Sequence, residues 1–322
     1  MIDLRHRFIE TNGIRMHVAD AGPEDGPLVI LCHGFPESWY SWRHQLSALG
    51  AAGYRAVAPD MRGYGQTDAP EDLRSYTMLH HAGDMVGLAD ALGARQAVIV
   101  GHDWGAPVAW NSALFRPDRF RAVAGLGVPF LPRGPASTVK TMEAAMAGRW
   151  FYFLYFQEPG KAEAELSGHV EAFLRGFFWS LSAGPPPSPL RGLIGPAGTK
   201  GILEVLDQPA QLPGWLTAED LAFYVKEFER TGFRGGLNWY RAEPLTWELS
   251  AAWADRRIEQ PALFVTGDRE PVLAMAPGVL EAMAQLVPGL RRTVVLPDCG
   301  HWTQQERPAE VNAALLDFLA GL

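Results

Sequence analysis

The stretch AVIVGHDWGAPVAW, residues 97–110, decides the fold. A run of small residues that favour β-strands ends in Gly-His-Asp-Trp-Gly, and a segment compatible with a helix follows at once. This order predicts a strand, a sharp turn called a nucleophile elbow, and a helix, with one side chain held at the apex of the turn. Gly101 and Gly105 flank the turn and keep it free of clashes. The apex residue is Asp103, a carboxylate at a position that usually presents a hydroxyl.

Short β-rich segments recur along the chain. They lie at residues 14–20, 28–32, 54–59, 97–100, 121–127, 262–266 and 293–297. From residue 28 onward most of them are separated by stretches compatible with helices, at residues 38–50, 78–92, 105–115, 276–286 and 309–321. This alternation predicts an α/β fold with a mostly parallel sheet that is covered by helices on both faces.

The alternation is interrupted between about residues 130 and 245. This block is rich in aromatic residues and contains AGPPPSPLRGLIGPAGTKG, residues 183–201, whose prolines and glycines suit a loop between helices. We therefore expect a sheet domain in two parts, residues 1–130 and 246–322, with a helical cap, residues 131–245, inserted between them. A cap over the carboxyl ends of the strands would enclose a pocket where open α/β sheets bind ligands.

Composition narrows the class of partner. The 322 residues carry a net charge of −8 with no compensating basic run, which argues against nucleic acid or an anionic membrane as a partner. The two cysteines, Cys32 and Cys299, are too few for a disulfide scaffold and have no metal-like spacing. No signal peptide or membrane span is recognisable in the sequence. We expect a cytoplasmic protein that binds a small molecule and no metal; a homodimer stays compatible with the sequence.

A carboxylate nucleophile of this kind needs an acid and a histidine later in the chain, in that order. Asp268 and Glu270 come just after a predicted strand, and His301 lies on a turn after the next one. Glu270 is the third residue after Gly267, the usual place of the acid, so we favour it over Asp268 as the partner of His301.

Among the nine histidines, His301 is placed best to act as the base. We expect His80 and His81 to be solvated at the start of a helix. His102 neighbours the nucleophile in sequence, but its side chain should face away from it.

The segment LCHGFPESWYSW follows a predicted strand and contains His-Gly-Phe-Pro, residues 33–36. Placed beside the elbow, the backbone N–H groups of Phe35 and Trp104 could point at one oxygen atom. We therefore predict that these two groups form an oxyanion hole.

The chemistry of Asp103 indicates the kind of substrate. A serine that attacked saturated carbon would leave a stable ether, whereas an aspartate leaves an ester that water can hydrolyse at the aspartate's own carbonyl carbon. Asp103 is thus suited to an alkylating substrate, either an epoxide or a haloalkane. An alkoxide leaving group needs strong hydrogen-bond donors such as phenols, and the cap sequence is rich in tyrosine. For Tyr155 and Tyr224 we expect simple packing, with the hydroxyls at the surface.

Five motifs occur in one order: His-Gly-Phe-Pro, Gly-His-Asp-Trp-Gly, Tyr-Phe-Gln-Glu-Pro-Gly, Asn-Trp-Tyr-Arg and Cys-Gly-His-Trp. With them the chain resembles the α/β-hydrolase-fold epoxide hydrolases of the soluble bacterial and mammalian type, over essentially its whole length. The resemblance implies hydrolysis of an epoxide to a diol, with Asp103 as nucleophile, His301 as base and no cofactor.

The same resemblance assigns further residues. It implies that Tyr152 and Tyr240 hold the epoxide oxygen, and that the Phe35-Pro36 peptide bond is cis. It places Trp104, Phe35, Pro36 and Trp302 against the substrate. One departure matters, because the family's acid is usually aspartate; this leaves open whether Glu270 or Asp268 orients His301.

Two other classes compete with an epoxide hydrolase. A haloalkane or haloacid dehalogenase shares the Asp-Trp-Gly motif but has no need of two phenols. A non-catalytic receptor or scaffold of this fold typically loses members of the triad, whereas this sequence has all three.

Overall fold

A twisted sheet of eight strands forms the centre of the molecule; the computed structural model describes residues 4–184 and 190–322. The strands of this sheet are β1 Arg5–Thr11, β2 Ile14–Ala21, β3 Leu28–Cys32, β4 Arg55–Pro59, β5 Ala97–His102, β6 Phe120–Leu126, β9 Ala262–Gly267 and β10 Leu290–Leu296. Their spatial order is β1-β2-β4-β3-β5-β6-β9-β10. Strand β2 is antiparallel to both of its neighbours. The other six strands, β4, β3, β5, β6, β9 and β10 in spatial order, are parallel to one another. The predicted α/β fold is confirmed.

The helices within the described residues are α1 Arg43–Ala51, α2 Met78–Ala91, α3 Gly105–Phe115, α4 Thr138–Ala145, α5 Tyr152–Tyr155, α6 Lys161–Leu166, α7 Val170–Ser180, α8 Ala218–Thr231, α9 Arg234–Arg241, α10 Glu243–Leu249, α11 Pro271–Met275, α12 Val279–Leu286, α13 Thr303–Glu306 and α14 Pro308–Ala320. Short 3-10 helices lie at Trp39–Trp42, Leu73–Tyr76, Ile202–Glu204 and Ser250–Trp253.

Two apolar layers cover the sheet, because its central strands bury side chains on both faces. Along β3, Val29 and Leu31 pack with α1 and α14, while Ile30 and Cys32 pack on the opposite face with α2 and α3. A side chain changes face at every residue of a strand, so a continuous apolar run serves both layers.

Helices α4 to α10 lie between β6 and β9 in the chain and form the segment that we call the cap; α10 ends at Leu249, four residues beyond the boundary expected at residue 245. Hydrogen bonds tie it to the sheet domain: the indole N–H of Trp239 in α9 donates to the carbonyl of Arg62 at 3.0 Å. The N–H of Met78 donates to the hydroxyl of Thr246 in α10 at 3.1 Å.

Two local features differ from the sequence expectations. Strand β1 was not predicted, because its two apolar residues, Phe8 and Ile9, are adjacent and give no apolar alternation. Within the segment predicted as a loop, residues 183–201, Ile194–Pro196 forms β8, which pairs antiparallel with β7, Arg149–Phe151. Residues 185–189 of that segment lie outside the described residues.

The described residues contain no helix long and apolar enough to cross a membrane. Nor do they bring together three or more histidine, cysteine, aspartate or glutamate side chains in an arrangement that could hold a metal ion.

Candidate active site

Asp103 occupies the turn between β5 and α3 with a positive φ of 51°. The turn is tight on both sides: a Cβ at Gly101 would collide with the carbonyl of Gly105, and one at Gly105 with the carbonyl of Cys32. The strand can therefore pass into the helix only where these glycines stand. This geometry projects the Asp103 side chain above the carboxyl ends of the parallel strands.

The Asp103 carboxylate is held by two groups on opposite sides. Its Oδ1 accepts a hydrogen bond of 2.7 Å from the backbone N–H of Phe35, and its Oδ2 lies 3.3 Å from Nε2 of His301. The loop after β3 can come this close because Gly34 has no Cβ, which would overlap the carboxylate. Trp104, whose N–H is the other expected donor, follows at the N-terminal end of α3. The Phe35-Pro36 bond is cis.

His301 contacts Glu270, not Asp268. Its Nδ1 lies 3.0 and 2.9 Å from the two carboxylate oxygens of Glu270. Glu270 is fixed in turn as the N-cap of α11, where it accepts from the N–H of Val272. Asp268 instead accepts from the backbone N–H of Cys299 at 3.2 Å. Of the two acids that the sequence left open, Glu270 is the one within hydrogen-bond distance of the imidazole.

Charge and burial act against each other in this triad. Burial alone would lower the pKa of His301, but the carboxylates of Glu270 and Asp103 raise it well above its usual value. Burial would raise the pKa of Asp103, and the hydrogen bond and positive charge of His301 lower it instead. The free site thus favours an ionised Asp103 beside a protonated His301, and an ionised carboxylate is the nucleophilic form.

The backbone around His301 is hydrogen-bonded to the cap. The N–H of His301 donates to the carbonyl of Leu181, just after α7, at 2.8 Å. The indole N–H of Trp302 donates to the carbonyl of Phe178 within α7 at 3.0 Å. The position of the imidazole therefore depends on the cap as well as on the sheet.

His102 and Glu37 form a buried pair beneath the nucleophile. Nδ1 of His102 lies 2.9 Å from the Glu37 carboxylate, and its Nε2 lies 2.7 Å from the backbone carbonyl of His301. His102 therefore faces away from Asp103. Glu37 also accepts from the N–H of Gly34 and from two glutamine side chains. The sequence analysis missed Glu37, although an acid directly after His-Gly-Phe-Pro in a largely apolar segment was a usable signal.

Two cap tyrosines lie together above the site. Tyr152 begins α5, Tyr240 belongs to α9, and their ring centroids are 6.0 Å apart. Burial raises the pKa of each phenol, and the negative charge of Asp103 raises it further. Both hydroxyls therefore stay protonated and can donate hydrogen bonds.

A cavity of about 330 Å³ leads away from the nucleophile. Asp103, Trp104 and Tyr152 line its inner end, and most of the remaining wall is apolar. Its lining includes surface residues, among them Leu131, which is 54% exposed. Such a cavity suits an apolar small molecule with its reactive end at Asp103.

Four residues that were expected to contact substrate do not line this cavity, and one of them is Tyr240, which is buried behind the wall residues Trp104 and Tyr152 and packs edge-on against both. Phe35 is buried among aromatic rings of the cap, and only its backbone reaches Asp103. Trp302 is fully buried with its indole N–H bonded to the cap, and Pro36 is buried beside Phe35. Of the expected substrate contacts, Trp104 lies on the cavity wall.

Other expectations about single residues were wrong. His81 is buried, not solvated, and stacks on Trp239 with ring centroids 3.7 Å apart. The hydroxyls of Tyr155 and Tyr224 are not at the surface: the first donates to Glu165 at 2.6 Å, and the second to a glutamine side chain at 3.1 Å. For His81 and Tyr224 the partners come from distant parts of the chain.

Comparison with known proteins gives one consistent result. Residues 27–308 match the model of a family described as alpha/beta hydrolase fold. The chain is 46% identical to epoxide hydrolase A of Mycobacterium tuberculosis, over 98% of its own length and 97% of that protein. It is also 46% identical to epoxide hydrolase 2 of Siraitia grosvenorii, over 99% of each chain.

The fold comparison agrees with these relatives. A crystal structure of epoxide hydrolase A from Mycobacterium thermoresistibile superposes with a TM-score of 0.94 and 48% identity, over 99% of both chains.

Proposed function

The chain belongs to the epoxide hydrolases of the α/β-hydrolase fold, and from this premise we propose that it opens an epoxide to a vicinal diol through a covalent ester on Asp103. One observation carries the proposal: the Asp103 carboxylate lies between the N–H of Phe35 at 2.7 Å and Nε2 of His301 at 3.3 Å. A carboxylate in this position can act first as a nucleophile and then as the acyl group of an ester.

In the first step an oxygen of Asp103 attacks a ring carbon of the epoxide, and the bond from that carbon to the ring oxygen breaks. Tyr152 and Tyr240 donate hydrogen bonds to the ring oxygen and supply the proton that it takes up. The product of this step is an alkyl ester of Asp103 with a neighbouring hydroxyl group. The buried, neutral state of both phenols supports this role.

In the second step His301 takes a proton from water, and the resulting hydroxide adds to the carbonyl carbon of the ester. The N–H groups of Phe35 and Trp104 stabilise the oxyanion, and Glu270 holds the imidazole with Nε2 free for the water. Collapse releases the diol, to which His301 returns its proton. Asp103 is left as a carboxylic acid. It returns this proton to the tyrosine that protonated the ring oxygen and becomes a carboxylate again.

We also propose residues 131–245 as a cap that closes the site over the sheet domain, residues 1–130 and 246–322. The hydrogen bonds between α7 and the His301 segment support this division. Neither a dehalogenase nor a non-catalytic scaffold is favoured by any observation on the site, and the relatives named above are epoxide hydrolases. The cytoplasmic location and a homodimer stay predictions from the sequence.

An isotope experiment tests the ester. With enzyme in excess over substrate in ¹⁸O-water, one turnover should give a diol almost free of label, because its new oxygen comes from Asp103, and the label should appear in Asp103. His301→Gln should retain the first step and lose the base for the second, so that Asp103 gains the mass of the substrate. A labelled diol in the first turnover, with no adduct in His301→Gln, would show direct attack by water and refute the mechanism.

A further inference from the structure

Tyr152 and Tyr240 must act on one oxygen atom, but they belong to different helices. The C-terminal ends of these two short helices, α5 and α9, lie side by side in the cap. The last carbonyl groups of a helix have no partner within it and must be satisfied by other donors. In this protein a side chain that follows α5 donates to the end of α9, and a side chain of α9 donates to carbonyls just beyond α5.

Gln157 links the two tyrosine helices through a single side chain. Its side-chain amide donates to the carbonyl of Phe153 in α5 at 3.0 Å and to the carbonyl of Tyr240 itself at 3.1 Å. One amide group is therefore bonded to the helix of Tyr152 and to the backbone of Tyr240.

Arg241 makes the link from the other side. Its buried guanidinium donates to the carbonyl of Phe156 at 2.9 Å and to that of Glu158 at 3.2 Å, both just beyond α5. It also forms a two-pronged ion pair with Glu163, at 2.6 and 2.9 Å. A planar guanidinium bonded in this way fixes orientation as well as distance.

From these contacts we infer that Gln157 and Arg241 are positioning residues, which hold Tyr152 and Tyr240 at the separation that ring opening requires. The inference rests on the function proposed above. Neither side chain lines the cavity at Asp103, so each acts through the tyrosine backbone. A displacement of about 1 Å in a reacting group can cost roughly 100-fold in rate, so the loss of such a link is measurable.

The experiment uses the full chain with His301→Gln, in which the ester accumulates and its formation can be followed alone as the mass of the Asp103 peptide. Gln157→Met keeps the side-chain volume and removes the amide donor. We expect the rate of ester formation at saturating substrate to fall roughly 10- to 100-fold, with substrate affinity little changed.

Gln260→Met is the matched control. Gln260 is also half-buried, and its amide also donates to two backbone carbonyls, those of Ala113 at 2.7 Å and Phe120 at 3.3 Å, but it does so in the sheet domain. We expect Gln260→Met to lower the thermal midpoint about as much as Gln157→Met and to leave ester formation within about twofold of the parent. Equal slowing by both changes would mean that Gln157 contributes only to folding, and would overturn the inference.

A double-mutant cycle tests whether Gln157 acts through the phenol. If it positions Tyr240, then Gln157→Met should have little further effect once Tyr240→Phe has removed the hydroxyl. Arg241→Lys, which keeps the charge and loses the two-pronged geometry, should follow the same pattern with a smaller loss. Full additivity in both cycles would refute the positioning role. Complete absence of the Asp103 adduct in His301→Gln would instead refute the proposed function, so the two failures can be told apart.

Discussion

At the scale of single residues, the proposed mechanism gives the triad different protonation preferences before and after its first step. In the free site two carboxylates raise the pKa of His301. Once Asp103 is esterified its charge is gone, and one of the two causes disappears. The pKa of His301 should therefore fall when the ester forms, which releases the neutral imidazole that the second step requires.

This reasoning predicts the pH dependence of ester hydrolysis. The rate should rise with pH as His301 loses its proton, and level off above the pKa of the intermediate. Glu270→Gln removes the remaining charge that raises this pKa, so the inflection should move to lower pH while the plateau rate falls by orders of magnitude, because the imidazole loses its orientation. Single-turnover rates between pH 5 and 9 measure both effects.

The control for this prediction is Asp268→Asn. Asp268 bonds to the backbone of Cys299, so its replacement should leave the inflection of the pH profile in place. An inflection that moves with Asp268→Asn and not with Glu270→Gln would assign the orienting role to the other acid.

Single residues of the site also differ in whether the sequence could predict them. Asp103 and Glu270 follow glycines near the ends of β5 and β9, and His301 directly follows Gly300 in the turn after β10, so these short-range patterns can be recognised without a structure. Gln157 and Glu37 were not found, because their roles depend on partners far away in the chain. For Glu37 the bond to His102 spans 65 positions, and for Gln157 the bond to Tyr240 spans 83.

At the scale of elements, the junction of β5 and α3 leaves no room for a side chain at Gly101 or Gly105. Gly105→Ala would press a Cβ against the backbone oxygen of Cys32, which cannot move aside because β3 is a central strand. We expect a loss of unfolding free energy of about 3 kcal/mol or more, together with loss of ester formation. Urea denaturation measures the first, and the mass of the Asp103 peptide measures the second.

Gly168→Ala provides the comparison, since a Cβ there has no atom within 4 Å. That change should alter stability by less than about 0.5 kcal/mol. If the two alanine variants proved equally stable, the close packing of the elbow would not be what fixes Asp103.

Central strands and the short or half-exposed strands differ in how well the sequence predicts them, and the reason is physical. The central strands, such as β3 and β5, are buried on both faces and appear as continuous apolar runs. Strand β1 and the β7–β8 pair are short or half-exposed, and their pairing partners, not their own residues, determine their conformation.

At the scale of the whole molecule, the apolar cavity predicts a trend in substrate preference. Among terminal epoxides with unbranched alkyl chains, kcat/KM should rise by about fourfold for each added CH₂, the value for burial of about 0.8 kcal/mol. The rise should stop when the cavity is full. A series of chain lengths measured at low substrate concentration tests this.

Chains of equal length that end in an ammonium group should lose that gain, because the apolar wall offers no compensation for a buried charge. If kcat/KM did not change along the alkyl series, the cavity that opens at Leu131 would not be where the substrate's chain binds.

The bonds from α7 to His301 and Trp302 bear on how molecules enter and leave. A displacement of α7 would break the bonds to His301 and Trp302, so we expect substrate to enter through the cavity near Leu131 with α7 in place. Entry of the substrate and the reaction itself then depend on different residues. Substitutions around the opening can change which epoxides are admitted, and how fast a polar diol departs, while the reacting groups keep their geometry.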